Sequence, residues 1–366
     1  MADRPPPPRD CAVPLVDHPD GITPDWLTRV IRANGCDAEV STVSSSPVGT
    51  GQMADNYRLH IDYARRDAGA PDTLVVKVPA GNETSRAAGA AGGYVTELRF
   101  YLELAHELAV RTPRCWYADI NDAHDKFILV LEDLAPAEQG DQIRGCSVVE
   151  AELALINLAG LHGSTWCATR LDDLGWLSRV TPEVAALFSN ILTPRTDDFI
   201  LRYEGRMSKE DAEVLRTFAA HAPTWLVARP ERFAALHGDY RLDNLLYGTQ
   251  AGGAPVAAVD WQTLSIAHPG RDVAYFMGNA MPPELRREHE EALVRAYHEA
   301  LLGHGVEQYS FEACFDDYRF GHFQGPLVTV LGAMAVVQTD RGDDMFMAMC
   351  SRSCQAIRDL DSLELL

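Results

Sequence analysis

The stretch HGDYRLDN, from His237 to Asn244, holds three polar residues whose types and spacing suit the transfer of a phosphoryl group. His237, Asp239 and Asn244 fit H-x-D-x-x-x-x-N, a pattern in which the aspartate accepts the proton of an attacking hydroxyl group. The amide oxygen of the asparagine can bind magnesium without adding negative charge near the phosphate groups. Asp239 is therefore predicted to be catalytic and Asn244 to be a metal ligand. A purely structural turn is the alternative, because these residue types are common in turns.

A second carboxylate follows an apolar, strand-like stretch, VAAVDW, in which Asp260 comes directly after Val259. An ionised carboxylate at this position is costly unless a cation or hydrogen bonds satisfy it. Magnesium prefers hard oxygen ligands and keeps several waters, so one aspartate, one asparagine and the phosphate groups suffice to bind it. Asp260 is therefore predicted as a second magnesium ligand. The opening position of a β-turn before Trp261 is the structural alternative.

The tripeptide LHG occurs a second time, at Leu161 to Gly163, where STWC follows it. No aspartate or asparagine stands at the spacing found after His237. We therefore interpret His162 as a packed residue of a helix.

A lysine lies inside the aliphatic stretch TLVVKV. Strand alternation places Lys77 on the same face as Val75, which is consistent with a side chain that faces a cleft. The α- and β-phosphates of ATP need a fixed cation, and that cation needs a carboxylate to hold it. Glu97, early in the following helix, is the predicted partner. The alternative is a lysine that points outward from an edge strand.

Two glycines, Gly49 and Gly51, lie in SPVGTGQMADNYRL between two strand-like stretches. Glycines in such a loop let backbone N–H groups approach phosphate closely, so both are predicted to bind the nucleotide. An ordinary hairpin turn is the alternative. The pattern G-x-x-x-x-G-K-[ST] of the phosphate loop in other nucleotide-binding proteins does not occur.

Composition excludes several classes of function. The formal net charge of −21 argues against binding to nucleic acid and against docking on an anionic membrane. The eight cysteines include no C-x-x-C pattern, and the N-terminal stretch MADRPPPPRD has no apolar core like that of a signal peptide. The longest apolar run, Pro326 to Val337, is too short to cross a bilayer. A cytoplasmic protein with reduced thiols and a small-molecule partner is therefore expected.

The pattern of secondary structure divides the chain into two lobes. Five short stretches rich in β-branched and aromatic residues predict five strands, and one helix over roughly Gly93 to Leu108 interrupts them. After Leu134 the periodicity becomes helical, apart from a predicted hairpin in NLLYG and VAAVDW. The expected organisation is a flexible tail over 1–20, a sheet-rich lobe over 21–134 and a larger helical lobe over 135–366.

The order of these features resembles the aminoglycoside phosphotransferase and choline kinase superfamily, and in particular its ecdysteroid-kinase-like branch. The stretches that carry the resemblance are VGTGQMADNYRL, LVVKVP, TELRFYLELA, FILVLEDLAP, LHGDYRLDNLLYG and AVDWQTLSIAHPGRDVAYFM. Together they cover roughly Val48 to Gly278. The resemblance implies an α+β, bilobal, protein-kinase-like fold, in which the N-terminal lobe has a five-stranded antiparallel sheet.

The resemblance also implies roles for individual residues. Asp239 would be the catalytic aspartate, Asn244 and Asp260 would hold magnesium, and Lys77 would pair with Glu97. Backbone groups near Glu132 and Leu134, in VLEDL, would meet the adenine ring of ATP. Asp272, in GRDVAYF, would order the loop that carries the catalytic residue.

These expectations lead to an ATP- and magnesium-dependent phosphotransferase that acts on a hydroxyl group of a small molecule. A protein kinase is disfavoured, because DWQ replaces D-F-G and no A-P-E follows. The alternative of another class is a kinase-shaped module that binds a nucleotide or metabolite without catalysis. A metal-dependent hydrolase built on His237 and Asp239 ranks last, because the sequence offers no credible set of histidine ligands.

Overall fold

The computed structural model describes residues 6–8, 11, 13–49 and 53–366. Contacts divide these residues into two compact units, which are interleaved in sequence. Unit 1 contains the described residues up to Glu107 together with Thr112–Ala135 and Asp260–Thr263. Unit 2 contains Leu108–Arg111, Pro136–Val259 and Leu264–Leu366.

Unit 1 is built on a five-stranded antiparallel sheet with the strand order β1-β2-β3-β5-β4. The prediction of five strands in this part of the chain is confirmed. The helices and strands of unit 1 are α1 (Pro24–Ala33), β1 (Glu39–Pro47), β2 (Ala54–Arg65), β3 (Thr73–Pro79), α2 (Glu83–Ala88), α3 (Tyr94–Arg99), β4 (Cys115–Ile120) and β5 (Phe127–Glu132).

The strand β3 lies at the centre of this sheet. Lys77 is opposite Asn56 on β2 and Leu129 on β5. Three of its neighbours on β3, Leu74, Val76 and Val78, are buried in the hydrophobic core of unit 1. Lys77 therefore stands on a central strand, and the alternative of an exposed edge-strand lysine is wrong.

One face of the sheet is covered by α1 and by residues that precede it. Thr23 caps the helix by accepting a hydrogen bond from the amide of Trp26, and the helix buries an apolar stripe against the sheet. The indole Nε1 of Trp26 donates to the carbonyl of Pro14 at 2.9 Å, and the side chain of Cys11 is buried in the same core. These described residues of the segment 1–20 thus pack on unit 1, where a flexible tail is expected from the sequence.

The helix that carries Glu97 is irregular. A π-helical turn over Gly89–Gly93 separates α2 from α3, and a second π-helical turn follows α3 over Phe100–Leu104. Gly92 has φ of 145°, and a Cβ atom at Gly89 would lie 2.2 Å from the ring of Tyr94. The positive φ at position 92 favours glycine, and the close approach at position 89 leaves no room for a side chain. Single π-helical turns often occur at functional sites, and these two flank Glu97.

Unit 2 is largely helical and carries a small three-stranded sheet and a two-stranded sheet. The predicted hairpin is present as β8 and β9. The helices and strands of unit 2 are β6 (Glu138–Gln139), α4 (Val148–Thr165), α5 (Pro182–Arg202), α6 (Lys209–Leu226), β7 (Ala234–Leu236), β8 (Leu245–Thr249), β9 (Gly252–Ala258), β10 (Ser265–Ala267), α7 (Gly270–Ala280), α8 (Pro283–Gly303), α9 (Phe311–Gly321), α10 (Gln324–Ala335) and α11 (Asp340–Asp359).

The helix α7 is the buried centre of unit 2. Every residue from Gly270 to Ala280 is buried, and α7 packs against α9, α10 and α11. At the α7–α9 crossing, a Cβ atom at Gly270 would lie 2.3 Å from the carbonyl oxygen of Asp317. The two helices therefore approach so closely that a side chain larger than that of glycine would not fit at Gly270. No helix of the described residues is long and apolar enough to cross a membrane.

A buried cluster around Asp317 on α9 predicts how the stability of the protein depends on pH. Its carboxylate accepts hydrogen bonds from Arg229, from Arg232 Nε at 2.7 Å and from Tyr309 at 3.0 Å. Burial raises the pKa of Asp317, but His268 and the two arginines outweigh this effect and hold the pKa well below its usual range.

Because the pKa of Asp317 is lower in the folded chain than its value of ~3.9 in an unfolded chain, its ionised form stabilises the fold above about pH 4. This contribution is lost as the pH falls through the lower, folded pKa. Urea unfolding between pH 7 and pH 3 should therefore show a free energy of unfolding that falls in acid. Asp317→Asn should lower stability at pH 7 and reduce the slope, whereas Asp122→Asn at an exposed site should change neither. An unchanged slope in Asp317→Asn would contradict the assignment.

Candidate active site

Unit 1 holds a buried lysine between two carboxylates. Lys77 is 6% exposed, and its Nζ lies 2.6 Å from Glu97 Oε2 and 3.4 Å from Asp260 Oδ1. The sheet supplies the lysine, the irregular helix supplies the glutamate, and the segment Asp260–Thr263 supplies the aspartate. Three of the residues singled out in the sequence are thus brought together in unit 1.

The charges of this group do not balance. Burial lowers the pKa of Lys77, but the carboxylates of Asp260 and Glu97 outweigh this and raise it, so the ammonium group is retained. Burial also raises the pKa of Glu97, which is 1% exposed, and the negative charge of Asp260 raises it further against the opposing effect of Lys77. One ammonium group therefore serves two carboxylates. The side chain of Asp260 is 39% exposed, so a further cation can reach it.

The backbone at Asp260 has an unusual conformation that aims its side chain. Its φ is 66°, in the left-handed region that non-glycine residues rarely adopt. The next two residues hold this conformation, because the amide of Trp261 and the side-chain amide of Gln262 both donate to Glu97 at 3.3 Å. The indole ring of Trp261 also stacks on Phe100, with ring centroids 3.8 Å apart. Glu97 therefore binds Lys77 and also the two residues that follow Asp260.

The glycine-rich loop is only partly described. Gly49 follows β1 and has φ of 73°, a conformation that favours glycine. Gly51 lies outside the described residues. On the far side of the loop, the hydroxyl group of Tyr94 donates to the carbonyl of Met53 at 2.5 Å, which ties the start of β2 to the helix of Glu97.

Glu132 and Leu134 lie at the end of β5. The amide of Glu132 donates to the carbonyl of Arg114 at 2.8 Å, and its carboxylate accepts a hydrogen bond from the amide of Arg114 at 2.9 Å. Glu132 is thus fixed against the start of β4. Within the described chain, the backbone amide of Leu134 donates no hydrogen bond to another residue. The backbone leaves the sheet at this point.

Unit 2 holds Asp239 and Asn244 in direct contact. The Nδ2 atom of Asn244 donates to the backbone carbonyl of Asp239 at 2.9 Å and to its Oδ2 at 3.0 Å. Two further donors reach the same carboxylate, Arg241 Nε at 3.1 Å and the hydroxyl group of Tyr275 at 2.6 Å. Asp239 remains 23% exposed. The result is a carboxylate that is fixed in orientation yet accessible.

Tyr275 and Arg241 are suited to this role by their own environments. Burial raises the pKa of Tyr275 well above its usual value, and the charge of Asp239 raises it further, so the hydroxyl group remains a donor. Burial lowers the pKa of Arg241, but Asp239, Tyr275 and Asp243 outweigh this and raise it. Arg241 also donates to Asp243 at 2.7 Å, which holds its guanidinium group in place.

The loop that carries Asp239 is clamped by Asp272 on α7. Asp272 is fully buried, and its carboxylate accepts hydrogen bonds from the amides of His237 at 2.7 Å and Gly238 at 3.0 Å. Asp272 thus contacts the loop that it is expected to order. His162 is a packed residue of α4, as interpreted, but it also contacts Asp272 Oδ2 at 3.3 Å and Tyr297 at 2.8 Å. His162, in the LHG at Leu161 to Gly163, thus contacts the aspartate that binds the backbone of the other LHG, at Leu236 to Gly238.

A second clamp acts on the other side of Gly238. Its φ is 81°, which favours glycine, and its carbonyl oxygen accepts a hydrogen bond from Gln324 Nε2 at 2.9 Å. The oxygen of Gln324 in turn accepts two hydrogen bonds from Arg271. Burial lowers the pKa of Arg271 to about 10, which still leaves it charged at neutral pH. Asp272 on α7 therefore binds the backbone amide of Gly238, and Gln324 on α10 binds its backbone carbonyl group.

Both ring nitrogens of His237 contact backbone groups of the protein. Its Nε2 lies 3.0 Å from the carbonyl oxygen of Val259, and its Nδ1 accepts the amide of Asp239 at 3.3 Å. The amide of Val259 donates to the carbonyl of Asn244 at 3.0 Å. Both ring nitrogens of His237 thus face protein groups, which disfavours a hydrolase that uses this histidine as a metal ligand. No group of three or more His, Cys, Asp or Glu residues suited to a metal ion occurs in the described parts of the chain.

Comparison with known proteins identifies the family. The model of the ecdysteroid kinase-like family matches residues 49–306, which is more than half of the chain. The chain belongs to the ecdysteroid kinase-like family. The resemblance seen in the sequence is confirmed, and with it a relationship to small-molecule kinases. No curated protein matches the chain.

Solved structures of other proteins share the fold of this ecdysteroid kinase-like protein. A presumed aminoglycoside phosphotransferase from Ralstonia eutropha JMP134 is 15% identical with a TM-score of 0.51, over 92% of this chain and 97% of that one. The GDP complex of aminoglycoside 2'-phosphotransferase-IIIa is 14% identical with a TM-score of 0.52, over 90% of this chain and 97% of that one. The predicted α+β kinase-like fold is confirmed.

Several residues of this site escaped the sequence interpretation. Tyr275, Gln324 and the His162 contact with Asp272 come from helices distant in sequence from the HGD motif. Arg241 stands inside the motif, but its charge has no assigned role in the H-x-D-x-x-x-x-N pattern. One signal was available in the sequence: Asp272 and Tyr275 are three residues apart, so a helix places them on one face, where both can contact the same loop.

Proposed function

We propose that this chain is a small-molecule O-phosphotransferase, which transfers the γ-phosphoryl group of ATP to a hydroxyl group. The observation that carries the proposal is the accessible carboxylate of Asp239, which three donors hold on a loop clamped from both sides. Such a carboxylate can orient an alcohol and accept its proton. Membership of a small-molecule kinase-like family supports the same reaction.

We assign nucleotide binding to the N-terminal lobe over 21–134. Lys77, fixed by Glu97, would pair with the phosphate groups, and the backbone of Gly49 and Gly51 would approach them. Backbone groups near Glu132 and Leu134 would meet the adenine ring. A related aminoglycoside phosphotransferase of the same fold binds GDP, so a purine nucleotide suits this fold.

The residues present fit a magnesium ion. Asp260 offers an accessible carboxylate in a group that carries one ammonium group and two carboxylates, which leaves an excess of negative charge. Asn244 uses its Nδ2 on Asp239, so its side-chain oxygen is turned away and remains a hard ligand. We propose Asp260 and Asn244 as the metal ligands. When bound, the ion would offset the negative charge of the phosphate groups.

The acceptor would bind to the C-terminal lobe over 135–366, with its hydroxyl group beside Asp239. A solved structure of the same fold, with a TM-score of 0.50 at 12% identity over 91% of this chain and 96% of that one, is a gentamicin complex of APH(2")-IIa. An aminoglycoside-, choline- or ecdysteroid-like alcohol is accordingly the class to search. The eight cysteines form no disulfide, which suits activity in the cytoplasm, where ATP is available.

A product search tests this proposal. The protein is incubated with ATP and magnesium chloride in the presence of hydroxylated amines, sugars and sterols, and phosphorylated products are sought by mass spectrometry. We expect magnesium-dependent ATP binding by calorimetry and a phosphorylated product from at least one compound, with about 10²-fold less or lower still from Asp239→Asn. Magnesium-dependent binding without any product across the panel would favour a nucleotide-binding module without catalysis.

A further inference from the structure

The two carboxylate oxygens of Asp239 differ in how their lone pairs are used. Oδ2 accepts two hydrogen bonds, from Arg241 Nε at 3.1 Å and from Asn244 Nδ2 at 3.0 Å. Oδ1 accepts one from the described residues, the 2.6 Å hydrogen bond of the Tyr275 hydroxyl group. Because each carboxylate oxygen has two lone pairs, both sites on Oδ2 are occupied while Oδ1 keeps one.

We propose that Oδ1 is the atom that receives the proton of the acceptor alcohol, and that Tyr275 is the positioning residue that aims it. This inference rests on the proposed function and adds the identity of the accepting oxygen and of the residue that directs it. In the step, the O–H bond of the alcohol breaks and its proton bonds to Oδ1. The alcohol oxygen forms a bond to the γ-phosphorus of ATP, and the bond from that phosphorus to the β–γ bridging oxygen breaks to release ADP.

Tyr275 is well placed to aim this oxygen because α7 also fixes the backbone of the loop. Asp272 and Tyr275 lie about one helical turn apart on α7, so one helix face holds the amides of His237 and Gly238 and the side chain of Asp239. The terminal torsion of an aspartate side chain is broad and weakly restrained by itself. The hydroxyl group of Tyr275 fixes this torsion from Oδ1, and Arg241 and Asn244 fix it from Oδ2.

Tyr275→Phe tests the inference by removing one hydroxyl group from a buried ring. We expect kcat to fall by about 10-fold to 100-fold, the range for the loss of a hydrogen bond to a charged group, with an unchanged Kd for ATP. The assay uses whichever panel alcohol the parent phosphorylates fastest. In the Asp239→Asn background the same substitution should cause no further loss of turnover, because its effect acts through that carboxylate.

Tyr318→Phe is the matched control. Tyr318 is buried like Tyr275, and its hydroxyl group also donates to a carboxylate, that of Glu290, at 3.0 Å. Both variants should lose similar stability in urea unfolding, but Tyr318→Phe should keep the parent kcat. A parent kcat in Tyr275→Phe, or a further loss in the Asp239→Asn background, would overturn the inference. Failure of the proposed function would instead appear as absence of turnover in the parent.

Discussion

Replacing Asp239 by asparagine is expected to lower turnover by about 10²-fold or more and to leave ATP binding unchanged. This is the scale of general acid–base catalysis, because the amide cannot accept the proton of the alcohol. The carboxylate accepts hydrogen bonds from Tyr275, Arg241 and Asn244, and none of the residues proposed to bind the nucleotide is replaced. The loss should therefore appear in kcat.

The donors around Asp239 dictate how the asparagine would sit. At the position of Oδ2 its NH₂ group would face two other donors, Arg241 Nε and Asn244 Nδ2, and would leave them without an acceptor. At the position of Oδ1 it would face the hydroxyl group of Tyr275, which can turn and accept. The NH₂ group should therefore occupy the position of Oδ1, where it offers a donor to the incoming alcohol.

Steady-state kinetics and calorimetry with ATP separate these effects. Asp122→Asn, the same exchange at an exposed position, is the control and should retain the parent kcat and the parent Kd for ATP. Asp243→Asn is a less suitable control, because Asp243 accepts a hydrogen bond from Arg241. Turnover by Asp239→Asn at the parent rate on a confirmed alcohol would show that Asp239 is not the base.

The sequence was sufficient to predict the sheet of unit 1. Each strand alternates or runs apolar over several residues and ends at glycine, proline or a polar turn, so local pattern decides it. The same alternation placed Lys77 on one face of β3, and the lysine indeed contacts Glu97 on the following helix. Elements of this kind are predictable because their determinants lie within one short stretch of chain.

The residues that support the loop of Asp239 could not be predicted in this way. Gln324 contacts Gly238, and His162 contacts Asp272, across sequence separations of 86 and 110 residues. These contacts depend on how α4, α7 and α10 pack, and helical packing is set by side-chain fit along whole helices. A histidine or glutamine on an apolar helix gives no local sign of its partner. His162 was accordingly interpreted as packed, and its contact with Asp272 was missed.

The irregular helix of Glu97 illustrates the same limit at short range. Its apolar spacing predicted a helix over roughly Gly93 to Leu108, but the chain forms π-helical turns at Gly89–Gly93 and Phe100–Leu104. The first turn depends on the close approach of Gly89 to Tyr94, a contact that helical periodicity does not encode. Glu97 nevertheless reaches Lys77, because it lies in the regular segment α3.

Lys77→Met is expected to destabilise the protein by about 3–5 kcal/mol, the usual cost of removing one partner from a buried ion pair. Glu97 is 1% exposed and would lose the ammonium group that alone among the nearby charges favours its ionised form, so the buried carboxyl group would have to stay unpaired or take up a proton. The amides of Trp261 and Gln262 also bond to Glu97, but they are neutral and do not replace the lost cation.

The double variant Lys77→Met/Glu97→Gln separates charge from packing. Glutamine has nearly the shape of glutamate, and its oxygen can still accept a hydrogen bond from Trp261 or Gln262. Since no unpaired charge then remains at this position, the double variant should be more stable than Lys77→Met alone. Urea unfolding followed by tryptophan fluorescence measures both, because Trp116 and Trp261 lie in unit 1. If Lys77→Met is as stable as the parent, Lys77 does not neutralise Glu97, and the double variant should then gain nothing.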